Sequence, residues 1–199
     1  MHRRPTARLF VAVDPPPQVC EQLAAWAHAA LRDMRRRSGA PPRILDAELL
    51  HVTLCFLGNH PTEELDALAA QLAECGGPLG ELSLGAPLWL PPRRPRALAV
   101  ELHDEHGLLG RLRESVLAAL REFSERQPAA EGRSAAPSKH RHFRPHVTVA
   151  RMRSGTTPGE HALPPTPALS FAPSQLILYR SWLSPEGASY EAVARHPIE

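Results

Sequence analysis

Apolar and polar residues alternate along this chain in blocks whose period switches between two and about three and a half. Residues 8–13, Arg-Leu-Phe-Val-Ala-Val, form a short apolar run halted by Asp14 and three prolines, which predicts a buried first strand. Over 18–37, apolar side chains recur at Val19, Leu23, Trp26, Ala30 or Leu31, and Met34, which is the spacing of one helix with an arginine-rich end. A strand is predicted over 51–57 and broken by Gly58-Asn59. A second helix follows Pro61, with Thr62 as its N-cap, Leu65, Leu68 and Leu72 as its apolar stripe, and Gly76-Gly77 as its stop.

Two strands are predicted next, over 81–90 and 97–102, and then a helix over 108–124 carrying Leu109, Leu112, Val116, Leu120 and Phe123. Residues 125–141 and 154–167 are rich in polar, Pro, Gly and small residues and read as loops. A strand from His146 lies between them. A hairpin over 175–183 and 189–194 turns around Ser184-Pro-Glu-Gly187. This order predicts an α+β fold in one domain over 1–199. It consists of two pseudo-symmetric lobes of mostly antiparallel sheet, with helices on the outside and a cleft between the lobes.

Composition narrows the function classes. With 43% hydrophobic and 22% charged residues the chain reads as globular, and a net charge of +2 argues against a generic polyanion binder. Any nucleic-acid affinity must therefore come from a local patch. Lysine occurs once, at Lys139, so nearly all basic charge is guanidinium, the planar donor suited to phosphate. Cys20, Cys55 and Cys75 are odd in number and lack metal-type spacing, which argues against a disulfide framework. The apolar stretch near the start is too short for a signal peptide and no run reaches membrane-spanning length, so a cytoplasmic location is expected.

The candidate chemistry lies in a tripeptide that occurs twice, His51-Val52-Thr53 and His146-Val147-Thr148, each inside a strand-like run. Side chains at i and i+2 share one face of a strand, so each copy presents an imidazole beside a hydroxyl while its valine enters the core. Two such pairs facing each other would supply two proton-transfer groups and two donors around one phosphodiester. Imidazole titrates near 6.5, so one ring can be neutral and the other protonated near neutral pH. That scheme calls for neither metal nor cofactor. His103-Asp-Glu-His106 has metal-like spacing but falls at a strand-to-helix turn.

Several motifs in order resemble the 2H phosphoesterase superfamily, in particular the RNA 2′,3′-cyclic phosphodiesterases also called 2′-5′ RNA ligases. They are Arg8-Leu-Phe-Val-Ala-Val, Leu50-His-Val-Thr-Leu-Cys-Phe-Leu-Gly, Phe143-Arg-Pro-His-Val-Thr-Val-Ala-Arg and the terminal hairpin around Leu178-Tyr-Arg-Ser, Pro185-Glu-Gly and Tyr190-Glu. Cys55 stands where that family often has a basic residue, and Ile44 where it often has an aromatic one. The resemblance implies hydrolysis of RNA 2′,3′-cyclic phosphate ends to 2′-phosphomonoesters. It further implies His51 as the acid for the 3′-oxygen, His146 as the base for water, and Thr53 and Thr148 on the non-bridging oxygens.

Arg151 is a further candidate phosphate clamp. Strict alternation points it away from His146 and Thr148, so it reaches the cleft only if the strand bulges or ends near Ala150. Candidate RNA contacts are Arg141, Phe143 and Arg144 within the basic run 139–144, and Phe10, which also reads as a core aromatic. The expected partner is RNA with a cyclic phosphate end, met by a monomer without a membrane. Three other functions fit the same residues: 2′-5′ ligation in the same site, a cyclic phosphodiesterase for a small nucleotide, and a non-catalytic RNA-end binding module.

Overall fold

The computed structural model describes residues 5–37, 41–127, 133–134, 143–153, 163–184 and 187–198. The first strand, β1 (Thr6–Val13), ends where the prolines begin, and Pro17 opens helix α1 (Pro17–Ala30), where a missing N–H costs nothing. The single helix expected over 18–37 is instead two. The chain turns at Leu31 and continues as α2 (Arg32–Arg37), because the Leu31 N–H bonds back to Ala27 and closes the first helix there. A two-residue strand, β2 (Arg43–Ile44), precedes the first motif strand, β3 (Val52–Pro61). Thr62 does not cap the next helix. It opens a 3-10 turn over Thr62–Glu64, its hydroxyl donates to the Pro5 carbonyl, and α3 (Leu65–Ala73) starts from that turn.

β4 (Leu82–Leu90), β5 (Ala97–His103) and α4 (Leu108–Arg126) follow the predicted order. Asp104 holds the start of α4, accepting from the N–H groups of Leu108 at 2.9 Å and Gly110 at 3.1 Å. This helix-capping duty accounts for Asp104 inside His103-Asp-Glu-His106. Among the described residues, no three His, Cys, Asp or Glu side chains group as metal ligands. The second motif strand, β6 (His146–Arg151), precedes β7 (Ser170–Phe171), and the hairpin of β8 (Gln175–Ser184) and β9 (Gly187–Pro197) ends the fold.

The fold is α+β, and its strands form one antiparallel nine-stranded sheet in the order β7-β4-β5-β6-β3-β1-β8-β9, with β2 also paired to β6. The two halves predicted from the sequence are thus joined at their motif strands. Their equivalence is visible in the register. Val13 pairs with Val52 and Ala12 with Thr53 in one half, while Val100 pairs with Val147 and Ala99 with Thr148 in the other. One face of the sheet carries the main core, where Leu9, Val11, Val52, Val100 and Val147 meet Leu23 of α1, Leu68 of α3 and Val116 of α4. The opposite face carries a second cluster of Phe10, Ala12, Ile177 and Tyr179 and supports the cleft. Among the described residues no helix is long and apolar enough to cross a membrane.

Candidate active site

β3 and β6 meet at the pair Val52–Val147, both fully buried. An antiparallel register centred there sets His51 across from Thr148 and Thr53 across from His146. All four side chains therefore share the face opposite the main core. The two tripeptides, ninety-five positions apart in sequence, stand side by side.

Each histidine is anchored in the same way. The His51 Nδ1–H donates to the Leu49 carbonyl at 2.8 Å, and the His146 Nδ1–H donates to the Arg144 carbonyl at 2.7 Å. A carbonyl only accepts, so the proton of the neutral ring sits on Nδ1 in both cases and Nε2 keeps a lone pair. The two rings are thus held in the same tautomer by the same kind of bond.

The surroundings of His51 are aromatic. Its ring lies 4.9 Å from Phe10 and 5.1 Å from Tyr190, the latter edge-on at 87°. Tyr179 stacks on Phe10 at 5.1 Å, and its hydroxyl donates to Asp14 at 2.6 Å. Desolvation pulls the His51 pKa from 6.5 down to about 4, and the positive charges of Arg151 and His146 push the same way. The Leu49 hydrogen bond opposes them. At neutral pH that shift makes His51 a neutral ring.

Both motif strands bulge just after the threonine. The β1–β3 register shifts between Val11 and Ala12, and the β5–β6 register shifts between Leu98 and Ala99. Two successive residues then face the core, Leu54 and Cys55 in one strand, Val149 and Ala150 in the other. The next residues that turn to the cleft are Phe56 and Arg151. The condition for Arg151 to reach the cleft is met, and it lines the same cavity as His51. Cys55 points inward instead, and burial pushes its thiol up to about 12.

Phe10, 2% exposed, packs beneath His51 and lines the same cavity. Phe143 packs under Arg113 of α4, whose guanidinium lies 5.0 Å from its ring centre. The Arg144 Nε–H donates to Glu101 at 2.7 Å, and its backbone carbonyl accepts from His146. Arg141 lies outside the described residues. The cavity beside His51, about 700 Å³, is lined further by Arg8, Arg43, Arg153, Ser181 and Tyr190. The alternation of the sequence by itself assigns none of these side chains to the cleft. Arg43 sits on a two-residue strand with no period to detect, and Tyr190 belongs to a strand read only for its hairpin.

The profile of the 2′-5′ RNA ligase superfamily matches residues 15–181. An RNA 2′,3′-cyclic phosphodiesterase of Thermus thermophilus is 30% identical over 194 residues, covering 96% of this chain and 90% of that protein. One of Escherichia coli K12 is 28% identical over 187 residues, covering 87% and 86%. A crystal structure of a Thermus thermophilus protein, 28% identical, superposes with a TM-score of 0.71 over 96% of this chain and 97% of that one. Escherichia coli LigT without ligand shares the fold at a TM-score of 0.71 and 22% identity, covering 97% and 98%.

Proposed function

The chain belongs to the 2′-5′ RNA ligase superfamily, and from that premise we propose that it is an RNA 2′,3′-cyclic phosphodiesterase worked by its two His-Val-Thr strands. The observation that supports this reading is the Val52–Val147 pairing, whose antiparallel register puts His51 opposite Thr148 and Thr53 opposite His146.

A 2′,3′-cyclic phosphate is a strained five-membered diester with one negative charge shared by two non-bridging oxygens. Thr53 and Thr148 donate to those oxygens, and Arg151 adds positive charge beside them. Nε2 of His146 takes the proton of an in-line water while Nε2 of His51 gives a proton to the departing 3′-oxygen. The water oxygen bonds to phosphorus, the P–O3′ bond breaks, and the products are a 2′-phosphomonoester and a free 3′-hydroxyl.

His51 must be charged for that step, yet burial favours its neutral form. The bound anion resolves this. It offsets the field of Arg151 and favours the imidazolium, so substrate binding carries a proton to His51. Ligation in the same site replaces water by a 5′-hydroxyl.

An oligonucleotide ending in a 2′,3′-cyclic phosphate, incubated in EDTA, tests the reading. The expected result is ring opening undiminished by the chelator, with a 2′-phosphomonoester as product. Loss of turnover on chelation contradicts it, and a 3′-phosphomonoester reverses the roles of the two histidines. Adding a 5′-hydroxyl acceptor reports whether joining competes with hydrolysis.

A further inference from the structure

We propose that Arg8, Arg43 and Arg153 form a second anion subsite that takes the internucleotide phosphate next to the terminal nucleotide. The preferred substrate is then an RNA chain rather than a free nucleoside cyclic phosphate. This inference rests on the phosphodiesterase reading above and names the length of substrate that the site is built for.

The argument starts from charge. The cleft beside His51 is lined by four arginines, Arg8, Arg43, Arg151 and Arg153, and among the described residues by no carboxylate. The whole chain carries only +2, so this is a local concentration of cations and not a reflection of overall charge. A cyclic phosphate brings one negative charge, and Arg151 together with the two threonines already answers it. Three guanidinium groups remain.

Their placement gathers like charges around one cavity. Arg43 pairs directly across from Arg151 in the β2–β6 register, and like charges at opposed positions of a sheet repel. Among the described residues none of the four has a carboxylate partner, whereas Arg126, Arg133 and Arg144 all do. The backbone makes room for this arrangement. Arg43 reaches from β2 to the β8–β9 hairpin, where its guanidinium lies against Gly187. A Cβ at Gly187 would overlap that guanidinium, and the residue's φ of +138° is one that side-chain-bearing residues rarely adopt. Arg8 stands on β1 opposite Ser181 of β8, also within the cavity lining. Guanidinium forks on different strands, around a cavity of about 700 Å³, suit a phosphodiester that lies beyond the reacting one.

A dinucleotide with a 5′-hydroxyl and a 2′,3′-cyclic phosphate end carries one phosphate more than a nucleoside 2′,3′-cyclic phosphate. The native enzyme is expected to open the dinucleotide with about tenfold or greater advantage in kcat/KM, the size of a charge-assisted contact. Replacing the internucleotide phosphate by a neutral methylphosphonate is expected to remove most of that advantage. In Arg8→Ala and Arg43→Ala the ratio between the two substrates is expected to shrink toward one. The substrate replacement leaves the protein untouched, so it decides the matter even where a variant fails to fold. Equal kcat/KM for dinucleotide and nucleoside cyclic phosphate overturns the subsite, as does a methylphosphonate dinucleotide turned over as well as the natural one. Failure of the native enzyme to open either substrate overturns the phosphodiesterase reading itself, and so the two failures are distinguishable.

Discussion

In His51→Ala and His146→Ala, kcat on a cyclic-ended oligonucleotide is expected to fall by about 100- to 10,000-fold each, the usual contribution of a positioned proton-transfer group. The two losses should be comparable, because the rings are equivalent in anchoring. Each donates Nδ1–H to the carbonyl two residues before it and aims Nε2 the other way. The double variant should lose far less than the product of the single losses, since the residues act in one concerted step. Steady-state kinetics on the three variants measure this. A variant that still turns over within tenfold of native removes that histidine from the chemistry. A binding module, by contrast, would show weakened affinity in these variants and no turnover in the native protein.

Thr53→Val and Thr148→Val carry the second large expectation, a loss of about 100- to 1,000-fold in kcat for each, the cost of removing one donor from a developing oxyanion. Valine keeps the branched shape on the strand and deletes only the hydroxyl, so the sheet should survive. Thr→Ser at either position restores the donor and should recover most of the rate. A loss confined to KM would mean that the hydroxyls bind ground state and transition state alike.

The sequence made the two motif strands legible because alternation is a local property. His-Val-Thr inside an apolar run fixes which side chains share a face whatever the strand pairs with. The helices over Leu108–Arg126 and Leu65–Ala73 were legible for the same reason, through the spacing of Leu109, Leu112 and Val116 and of Leu65, Leu68 and Leu72. What decides the rest is pairing between distant strands. The bulges after Thr53 and Thr148 are slips of one residue against β1 and β5, and nothing in the motif strands alone announces them.

Those slips settle three side chains at once. They turn Arg151 and Phe56 to the cleft face, Phe56 with 58% of its surface exposed, and bury Cys55. Arg43 escaped notice because β2 is two residues long. In the basic run before the second motif, Arg144 pairs with Glu101 on the neighbouring strand, a partner 43 positions away that local composition does not announce. The alanines paired to the two threonines, Ala12 and Ala99, were read only as parts of apolar strands. Their register exposes the approximate twofold relation of the halves.

Imidazole NMR during a titration with inorganic phosphate probes the central geometry most directly, because it follows both rings as one ligand enters. In the free protein His51 is expected to titrate at about 4, well below an ordinary histidine. Phosphate should move the His51 and His146 signals together, with one shared midpoint, and should raise the His51 pKa, since a neighbouring anion favours the charged ring. Signals that respond separately, or a His51 that stays silent while phosphate saturates, would contradict the convergence of both rings on one phosphorus.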